Sequence, residues 1–272
     1  MISEEQARNK NKPERKPLPG LEQVKNVLAV ASGKGGVGKT TIAVNVALAL
    51  AAEGCRVGLL DADVYGPSVP VMLNLVEQPG REGGRILPVE KFGLRVMSLG
   101  MIAEEGQALI WRGPMVGKAI RQLLGDVFWG ELDFMVVDLP PGTGDPSITV
   151  AQSIRDASVL MVTTPQKVAV ADVRRAIRMF RTFDLNIIGL IENMSYFRCS
   201  HSPEQIEVFG SGGGEMLSQE LGIPLLGSVP IDPEISASGD AGFPLLISAP
   251  DSAVGRVFHT IGSKILGRIV SR

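Results

Sequence analysis

The sequence predicts an α/β fold in which helices cover both faces of a doubly wound, mostly parallel sheet. From Leu21 onward, apolar strand-like runs alternate with helical patterns, as in parallel strands joined by helical crossovers. Apolar residues make up 44% of the chain but aromatic residues only 5%, which suits a sheet packed by Val, Ile, Leu and Ala. In such sheets, ligands bind at the carboxyl ends of the strands.

The individual elements follow from local patterns. Short apolar runs predict seven strands: Val27–Ala31, Arg56–Leu60, Leu94–Leu99, Phe134–Asp138, Ala157–Thr163, Ile187–Glu192 and Leu225–Val229. Helical patterns lie near residues 41–53, 114–125, 168–183, 213–221 and 251–270. In the last helix, apolar residues recur at core-facing spacing: Val254, Val257, Phe258, Ile261, Ile265 and Ile269. This spacing favours core packing over membrane targeting by the short, basic segment Ser263–Arg272.

Composition and charge indicate a compact cytoplasmic protein. The net charge of −2 and the pI near 5.8 give no reason to expect nucleic-acid binding. Cys55 and Cys199 cannot form a disulfide framework, which fits a reducing compartment, and Cys55 is expected to be a small core residue. No apolar run approaches the ~20 residues of a transmembrane helix. Residues 1–20 are expected to form a flexible polar arm ahead of a single domain over 21–272.

The strongest functional signal directly follows the first predicted strand. Residues 32–41 satisfy the phosphate-binding loop pattern G-x-x-x-x-G-K-[ST], with a strand before it and a helix after it. Glycines let backbone N–H groups point at phosphate oxygens, and the helix N-terminus adds partial positive charge. Lys39 is expected to reach the β- and γ-phosphates and Thr40 to ligate Mg²⁺. The predicted nucleotide-binding residues of the loop are Gly33, Lys34, Gly35, Gly36, Val37, Gly38, Lys39, Thr40 and Thr41.

Carboxylates follow two further predicted strands. Asp61 and Asp63 come after the second strand and precede a glycine–proline loop. This pattern suits either a mobile switch beside the γ-phosphate or a turn with helix-capping aspartates. Another strand ends in Asp138, the position in which a buried carboxylate holds Mg²⁺, usually through water. The following loop contains Gly142 and Gly144, whose N–H groups suit either a second γ-phosphate switch or a plain Pro–Gly turn.

From about residue 24 onward, the chain resembles the Mrp family of iron–sulfur cluster carrier ATPases, which shares a deviant Walker A signature with MinD and ParA. The stretches that carry the resemblance are GKGGVGKTT (33–41), DADVYGPSVP (61–70), WRGPM (111–115), DLPPGTGD (138–145), TTPQ (163–166), ENMSYF (192–197), FGSGGGE (209–215), DPEI (232–235) and GDAGFP (239–244). The stretches WRGPM, ENMSYF and FGSGGGE are much more specific to this family than the phosphate loop is.

The resemblance implies specific roles at an ATPase site. It implies a nucleotide-bridged homodimer in which Lys34 reaches the partner subunit's nucleotide as a catalytic cation. It also implies that Asp63 orients or deprotonates the attacking water and that Asp61 stands near the Mg²⁺ shell. Asn193 is implied to read the adenine edge, and Pro230 to help wall the base. Because no Asn-Lys-x-Asp motif occurs, ATP is favoured over GTP.

One departure from the family concerns the metal-binding segment. The resemblance implies a Cys-x-x-Cys motif just after the ENMSYF stretch. Two subunits, each with this motif, would then hold one bridging cluster through four thiolates. Here the segment reads Cys199-Ser-His-Ser202, and a serine hydroxyl is a poor iron ligand. A dimer would supply two Cys199 thiolates, with the His201 imidazoles as further candidate ligands. Alternatively, Cys199 is a labile loop thiol that binds no metal.

Two classes of function follow. The first is a homodimeric Mg²⁺-dependent ATPase that carries an iron–sulfur cluster to apoprotein clients. The second is a MinD/ParA-type nucleotide-switch ATPase that positions a partner or cargo and carries no metal. The ATP chemistry is common to both, and iron binding separates them. A transmembrane segment and a nucleic-acid partner are expected for neither.

Overall fold

The computed structural model describes residues 18–64, 66–101, 113–154, 157–198 and 204–270. Its strands are β1 (Val24–Ser32), β2 (Val57–Asp61), β3 (Gly80–Glu82), β4 (Arg85–Leu87), β5 (Val89–Lys91), β6 (Leu94–Ser98), β7 (Leu132–Asp138), β8 (Ser158–Thr163), β9 (Asn186–Glu192), β10 (Phe197–Arg198), β11 (Gln205–Ile206) and β12 (Leu225–Ser228). Its helices are α1 (Lys39–Ala52), α2 (Val69–Met72), α3 (Gly113–Asp126), α4 (Asp145–Ser153), α5 (Lys167–Thr182), α6 (Gly213–Leu221), α7 (Pro233–Asp240), α8 (Leu245–Ser248) and α9 (Ala253–Val270). Short 3₁₀ turns occupy Pro19–Leu21 and Leu99–Met101.

Within these ranges, eight strands form one sheet in the order β12-β9-β8-β1-β7-β2-β6-β5. Neighbouring strands are parallel except β5 and β6, which pair antiparallel at one edge. The predicted doubly wound, mostly parallel α/β fold is therefore confirmed, and all seven predicted strands belong to this sheet. β1 lies between β7 and β8, so its carboxyl end, where the phosphate loop starts, meets the ends of both neighbours.

Hydrophobic layers cover both faces of the sheet. Alternate residues of β1 enter the two layers: Leu28 and Val30 belong to one, and Ala29 and Ala31 to the other. The first layer is built with α1 and α9, and the second with α3, α4, α5 and α6. The strand that ends at the phosphate loop is therefore fixed from both sides.

The helix that follows the phosphate loop is buried along most of its length by the C-terminal helix. Residues 42–50 of α1 are all buried. Helix α9 approaches closely at Gly262, where a Cβ would lie 2.8 Å from Cβ of Ala49. The predicted core-facing residues of α9 are confirmed: Val254, Phe258, Ile261 and Ile265 are buried, and Val257 and Ile269 pack against the same cluster. Each such buried side chain contributes about 1.5–3 kcal/mol relative to exposure.

Several short helices and strands were not predicted from the sequence. The hairpin β3–β4 turns through Gly83-Gly84, both with positive φ, and this dipeptide between strand-like residues was a usable hairpin signal. Strand β5 has only three residues, one of them exposed Glu90, and no apolar run marks it. Helix α4 starts at Asp145-Pro146 and has a weakly apolar sequence that gives little periodicity.

The packed part of the chain begins before the predicted boundary of the N-terminal arm. Gly20 is buried against the C-terminal end of α3, and a Cβ there would lie 2.3 Å from the carbonyl oxygen of Leu124. Leu18 and Leu21 also pack against the core. Residues 1–17, which make up the rest of the predicted arm, lie outside the described residues.

Candidate nucleotide-binding site

The phosphate loop bridges β1 and α1, and its glycines are required by its shape. Gly36 and Gly38 both have φ of +78°, a conformation that side chains disfavour. A Cβ at Gly38 would also lie 2.2 Å from Nδ2 of Asn193. Gly33 touches the backbone of α5, because a Cβ there would lie 2.3 Å from the carbonyl carbon of Asp172. The loop therefore has the curled backbone that presents N–H groups to phosphate.

Lys39, Thr40 and Asp138 meet at the first turn of α1. The Lys39 ammonium lies 2.6 Å from Oδ1 of Asp138, and the Thr40 hydroxyl donates to Oδ2 at 2.7 Å. Asp138 is fully buried, and Lys39 is 6% exposed. Burial raises the pKa of Asp138, whereas the charge and hydrogen bond of Lys39 act in the opposite direction. The residues expected to bind phosphate and Mg²⁺ thus lie within one hydrogen-bonded cluster.

Asp63 extends this cluster towards the loop after β2. Its Oδ2 lies 3.5 Å from the Lys39 ammonium, and its side chain is 13% exposed. A carboxylate in this position can reach both the lysine and a solvent molecule beside it. The structure therefore places Asp63 beside Lys39, and its catalytic role stays a prediction.

Asp61 organises the loop that carries Asp63. It pairs in register with Asp138 on β7 and with Ser98 on β6. Its carboxylate accepts hydrogen bonds from the N–H groups of Asp63 and Val69 and from the Ser98 hydroxyl, at 3.0–3.2 Å. Burial, and then the charge of Asp138, raise the pKa of Asp61 to about 7. These hydrogen bonds show that Asp61 anchors the loop after β2. Its predicted place near the Mg²⁺ shell stays a prediction.

The loop after β7 lies against the phosphate loop. Gly142 has φ of +83° and donates its N–H to the carbonyl oxygen of Ser32 at 2.9 Å. The Ser32 hydroxyl in turn donates to the carbonyl oxygen of Lys34 at 2.9 Å. Lys34 is partly exposed and Gly35 is exposed, so the tip of the loop is accessible. The predicted action of Lys34 across a dimer stays a prediction.

Asn193 lies beside the phosphate loop, and Pro230 lies two residues after β12, the strand that pairs with β9. Asn193 follows β9, is 5% exposed, and donates from Nδ2 to the carbonyl oxygen of Val37 at 2.9 Å. Pro230 is buried and follows Val229, whose backbone bonds to Glu192 and Ser195. The carbonyl oxygen of Thr41 accepts a hydrogen bond from the side-chain amide of Asn45 at 2.9 Å. Adenine contact by Asn193 and Pro230 stays a prediction.

Two residues of this region were missed by sequence reasoning. Ser98 was only the penultimate residue of the predicted strand Leu94–Leu99, and its bond to Asp61 depends on the pairing of β2 with β6. Glu192 is the first residue of the ENMSYF stretch, in which the sequence predicts a role only for Asn193. It is 3% exposed and accepts hydrogen bonds from the Ser195 hydroxyl and the Gly214 N–H. Its position at the end of an apolar, strand-like run was the available signal.

The predicted iron-binding residues Cys199 and His201, and also Ser202, lie outside the described residues. The antiparallel pair β10–β11 flanks this stretch of sequence. Across the residues that are described, no group of three or more His, Cys, Asp or Glu side chains could hold a metal ion. Cys55 is partly buried against the core, as predicted, and burial raises the pKa of its thiol, with Asp133 and Glu53 adding to the rise.

A glycine-rich loop between a strand and a helix, with its lysine and threonine on a strand-terminal aspartate, defines the chain as a P-loop nucleotide-binding protein. The chain belongs to the family described as ParA, NUBPL iron-transfer P-loop NTPase, which it matches over residues 23–266. The resemblance to iron–sulfur carriers of the ParA group is thereby confirmed. No helix in the ranges described is long and apolar enough to span a membrane.

Relatives in several organisms share most of the chain. An iron–sulfur cluster carrier protein of Synechocystis is 47% identical over 266 residues, covering 94% of this chain and 75% of that protein. The iron–sulfur cluster transfer protein NUBPL of Dictyostelium discoideum is 44% identical over 252 residues, which cover 92% of this chain and 78% of that protein.

Solved structures support the same fold. The nucleotide-binding protein in complex with ADP from Archaeoglobus fulgidus is 35% identical with a TM-score of 0.73, covering 82% of this chain and 88% of that one. The cell division ATPase MinD of Pyrococcus furiosus has a TM-score of 0.68, and the match covers 89% of this chain and 98% of that one. It is only 21% identical and therefore shows the fold alone. The relatives therefore favour the iron-transfer class over the MinD-type class.

Proposed function

We propose that the protein is a Mg²⁺-dependent ATPase that carries an iron–sulfur cluster to apoprotein clients. The observation that carries the nucleotide half is the meeting of Lys39, Thr40 and Asp138 at the first turn of α1. The iron-transfer family and the names of its relatives support the carrier half.

The donor set fits a magnesium nucleotide. A threonine hydroxyl and a buried carboxylate are hard oxygen donors, which Mg²⁺ prefers. When bound, Mg²⁺ neutralises charge that develops on the β- and γ-phosphate oxygens. The loop N–H groups bind phosphate oxygens, and Lys39 exchanges Asp138 for them. Asn193 and Pro230 hold the adenine, which makes ATP the favoured nucleotide.

Hydrolysis then depends on two further side chains. Asp63 lies beside Lys39 and is partly accessible, so it orients the attacking water and accepts its proton. Lys34 lies at the accessible tip of the loop, where it can reach the nucleotide of a second subunit and offset charge on the transferring phosphoryl group. The active form is accordingly a homodimer.

The cargo is proposed to bind between the two subunits. Each subunit contributes the Cys199 thiolate, with His201 as a further ligand, because Ser202 cannot supply a thiolate. Fewer thiolates mean weaker ligation, so the cluster should be held less firmly than by four cysteines. Weak ligation suits release to an apoprotein.

Anaerobic reconstitution with iron and sulfide, followed by metal analysis and phosphate-release assays, tests both halves separately. Lys39→Ala should lose hydrolysis but keep iron, and Cys199→Ala should lose iron but keep hydrolysis. Cys55→Ala is the matched control for Cys199→Ala and should keep both iron binding and ATP hydrolysis. Normal Mg·ATP hydrolysis by Lys39→Ala would remove the nucleotide assignment. Equal iron and visible absorbance in Cys199→Ala, or no iron in the parent, would remove the carrier assignment.

A further inference from the structure

Glu192 is a buried carboxylate for which the proposed ATPase chemistry has no use. It ends β9 and is 3% exposed. One of its oxygens accepts from the Ser195 hydroxyl and the other from the N–H of Gly214, the second residue of α6. A buried carboxylate needs such donors to offset its desolvation. Glu192 therefore ties residues 193–195 to the start of α6.

The same three-residue segment contacts the phosphate loop. Asn193 donates from Nδ2 to the carbonyl oxygen of Val37 at 2.9 Å, and its backbone N–H donates to the carbonyl oxygen of Thr163 at 2.8 Å. Gly38 lies directly against Nδ2, with no room for a Cβ. A change at the peptide between Val37 and Gly38 must therefore be matched by Asn193.

Beyond Ser195, the segment continues into the hairpin β10–β11. The Ser195 N–H donates to the carbonyl oxygen of Val229 at 3.0 Å, and the Ile231 N–H donates to that of Tyr196 at 2.7 Å. Phe197 then pairs with Ile206. Met194, which lies between the anchored residues Asn193 and Ser195, is held at φ of +53°, a conformation that non-glycine residues adopt only when their surroundings enforce it. The segment is thus fixed at both ends.

The start of α6 is packed as tightly onto this segment. A Cβ at Gly214 would lie 2.9 Å from Oε2 of Glu192, and one at Gly213 would lie 2.3 Å from the carbonyl oxygen of Pro165. Gly214 therefore lets the helix N-terminus approach the buried carboxylate, and Gly213 lets it approach the backbone of Pro165. This contact leaves little freedom for α6 to move independently of Glu192.

We propose that Glu192 is a positioning residue that couples nucleotide occupancy of the phosphate loop to the order of α6 and the hairpin β10–β11. The inference rests on the proposed nucleotide site. Nucleotide that holds the peptide between Val37 and Gly38 restrains Asn193. Glu192 passes that restraint to Gly214 because its two hydrogen bonds join the segment to the helix. The hairpin shares the restraint through the backbone bonds that follow Ser195.

Hydrogen–deuterium exchange of the intact protein with and without saturating Mg·ADP tests the coupling. In the wild type, ADP should slow exchange of amides in residues 204–216 by about threefold or more. Glu192→Ala should bind ADP with a Kd within about threefold of wild type but lose this slowing. Glu192→Gln should keep it, because the amide oxygen can accept from Gly214 while the amide nitrogen donates to Ser195. Glu207→Ala, on an exposed neighbour of the hairpin, is the matched control.

A purely structural role for Glu192 predicts a different result. Glu192→Ala would then melt at a lower temperature but retain the full nucleotide-dependent slowing, and that outcome would overturn the proposal. Ser195→Ala removes one of the two anchors and replaces Glu192→Ala if the latter is unstable, with at least partial loss of slowing expected. Bound ADP without slowing in the wild type would also overturn the coupling. Failure of the wild type to bind ADP would overturn the nucleotide site itself, and this inference with it.

Discussion

Lys39 and Asp138 form an ion pair of 2.6 Å in a place almost closed to solvent. The second oxygen of Asp138 accepts from Thr40. The side chain expected to bind phosphate is therefore held by the side chain expected to bind Mg²⁺. Nucleotide phosphates must therefore compete with Asp138 for the Lys39 ammonium. This competition lowers the affinity of the site for nucleotide.

Removing the charge of Asp138 should favour nucleotide binding when Mg²⁺ is chelated. We expect Asp138→Asn to bind ATP about tenfold more tightly in EDTA, since Lys39 is no longer held by a full negative charge. The same variant should gain little from added Mg²⁺ and should not hydrolyse ATP. Titration of a fluorescent ATP analogue in EDTA and in Mg²⁺ measures both effects. Asp133→Asn, near the opposite end of β7, is the control. Weaker binding of ATP by Asp138→Asn than by wild type in the presence of EDTA would contradict the expectation.

Asp63 should matter for the chemical step more than for binding. Asp63→Asn is expected to lower the single-turnover rate about a hundredfold, because the water loses its proton acceptor. The Kd for Mg·ATP should change by no more than about threefold, since the backbone N–H that Asp61 anchors is retained. Collapse of binding with little change in turnover would show that Asp63 has another role.

Complementation tests the action of Lys34 across a dimer. Lys34→Ala should bind ATP but not hydrolyse it, and ATP should shift the wild type from monomer to dimer in sedimentation experiments. An equal mixture of Lys34→Ala and Asp63→Asn should recover about a quarter of wild-type activity, because half of the random dimers are mixed and each has one complete site. Hydrolysis by a strict monomer, at a rate per subunit independent of concentration, is incompatible with this role.

The pH dependence of stability should carry the signature of Asp61. Its pKa is about 7 in the fold and 3.8 ordinarily, so the folded state holds a proton that the unfolded state releases. That contribution is fully present below about pH 4, is lost as the pH rises to about 7, and amounts to roughly 4 kcal/mol at most. Denaturant unfolding in EDTA should show the loss in wild type but not in Asp61→Asn. Parallel pH profiles for the two proteins would rule the assignment out.

Restoring the second family cysteine should strengthen iron binding. Ser202→Cys adds a thiolate from each subunit, so chelators should remove iron from the reconstituted variant about tenfold more slowly than from wild type. Absorbance decay after addition of a chelator measures this directly. Ser200→Cys, which leaves the Cys-x-x-Cys spacing unmade, is the control. Equal decay in Ser202→Cys and wild type would speak against a cluster at this segment.

The parts of the fold that the sequence predicts well are those with strong local signals. Buried parallel strands are continuous apolar runs, and the phosphate loop combines glycines with Lys39 in a fixed order. The helix starts at Lys39, two residues earlier than predicted, because the left-handed Gly38 ends the loop directly before it. The three-residue strand β5 has no comparable run, since it gains its place only by pairing with β6.

The site was predictable as a set of residues but not as a set of contacts. Asp61 could be identified as a carboxylate at a strand end, yet its use as an anchor depends on Ser98 of β6 and on Val69, eight residues further along the chain. Glu192 depends on Gly214, which is 22 residues away. Hydrogen-bond partners of this kind are set by tertiary packing, which sequence periodicity does not encode.

The burial of α1 by α9 has a consequence for the order in which the protein is made. The helix that begins with Lys39 obtains its covering layer from the last helix, and Glu53 and Ser263, which bond across this contact, are 210 residues apart. Contacts of such separation form late, because all the residues between them must be synthesised first. A nascent chain on the ribosome therefore exposes the apolar flank of α1 until α9 emerges. Lys39 therefore sits on a helix whose covering layer is completed only once α9 has been synthesised.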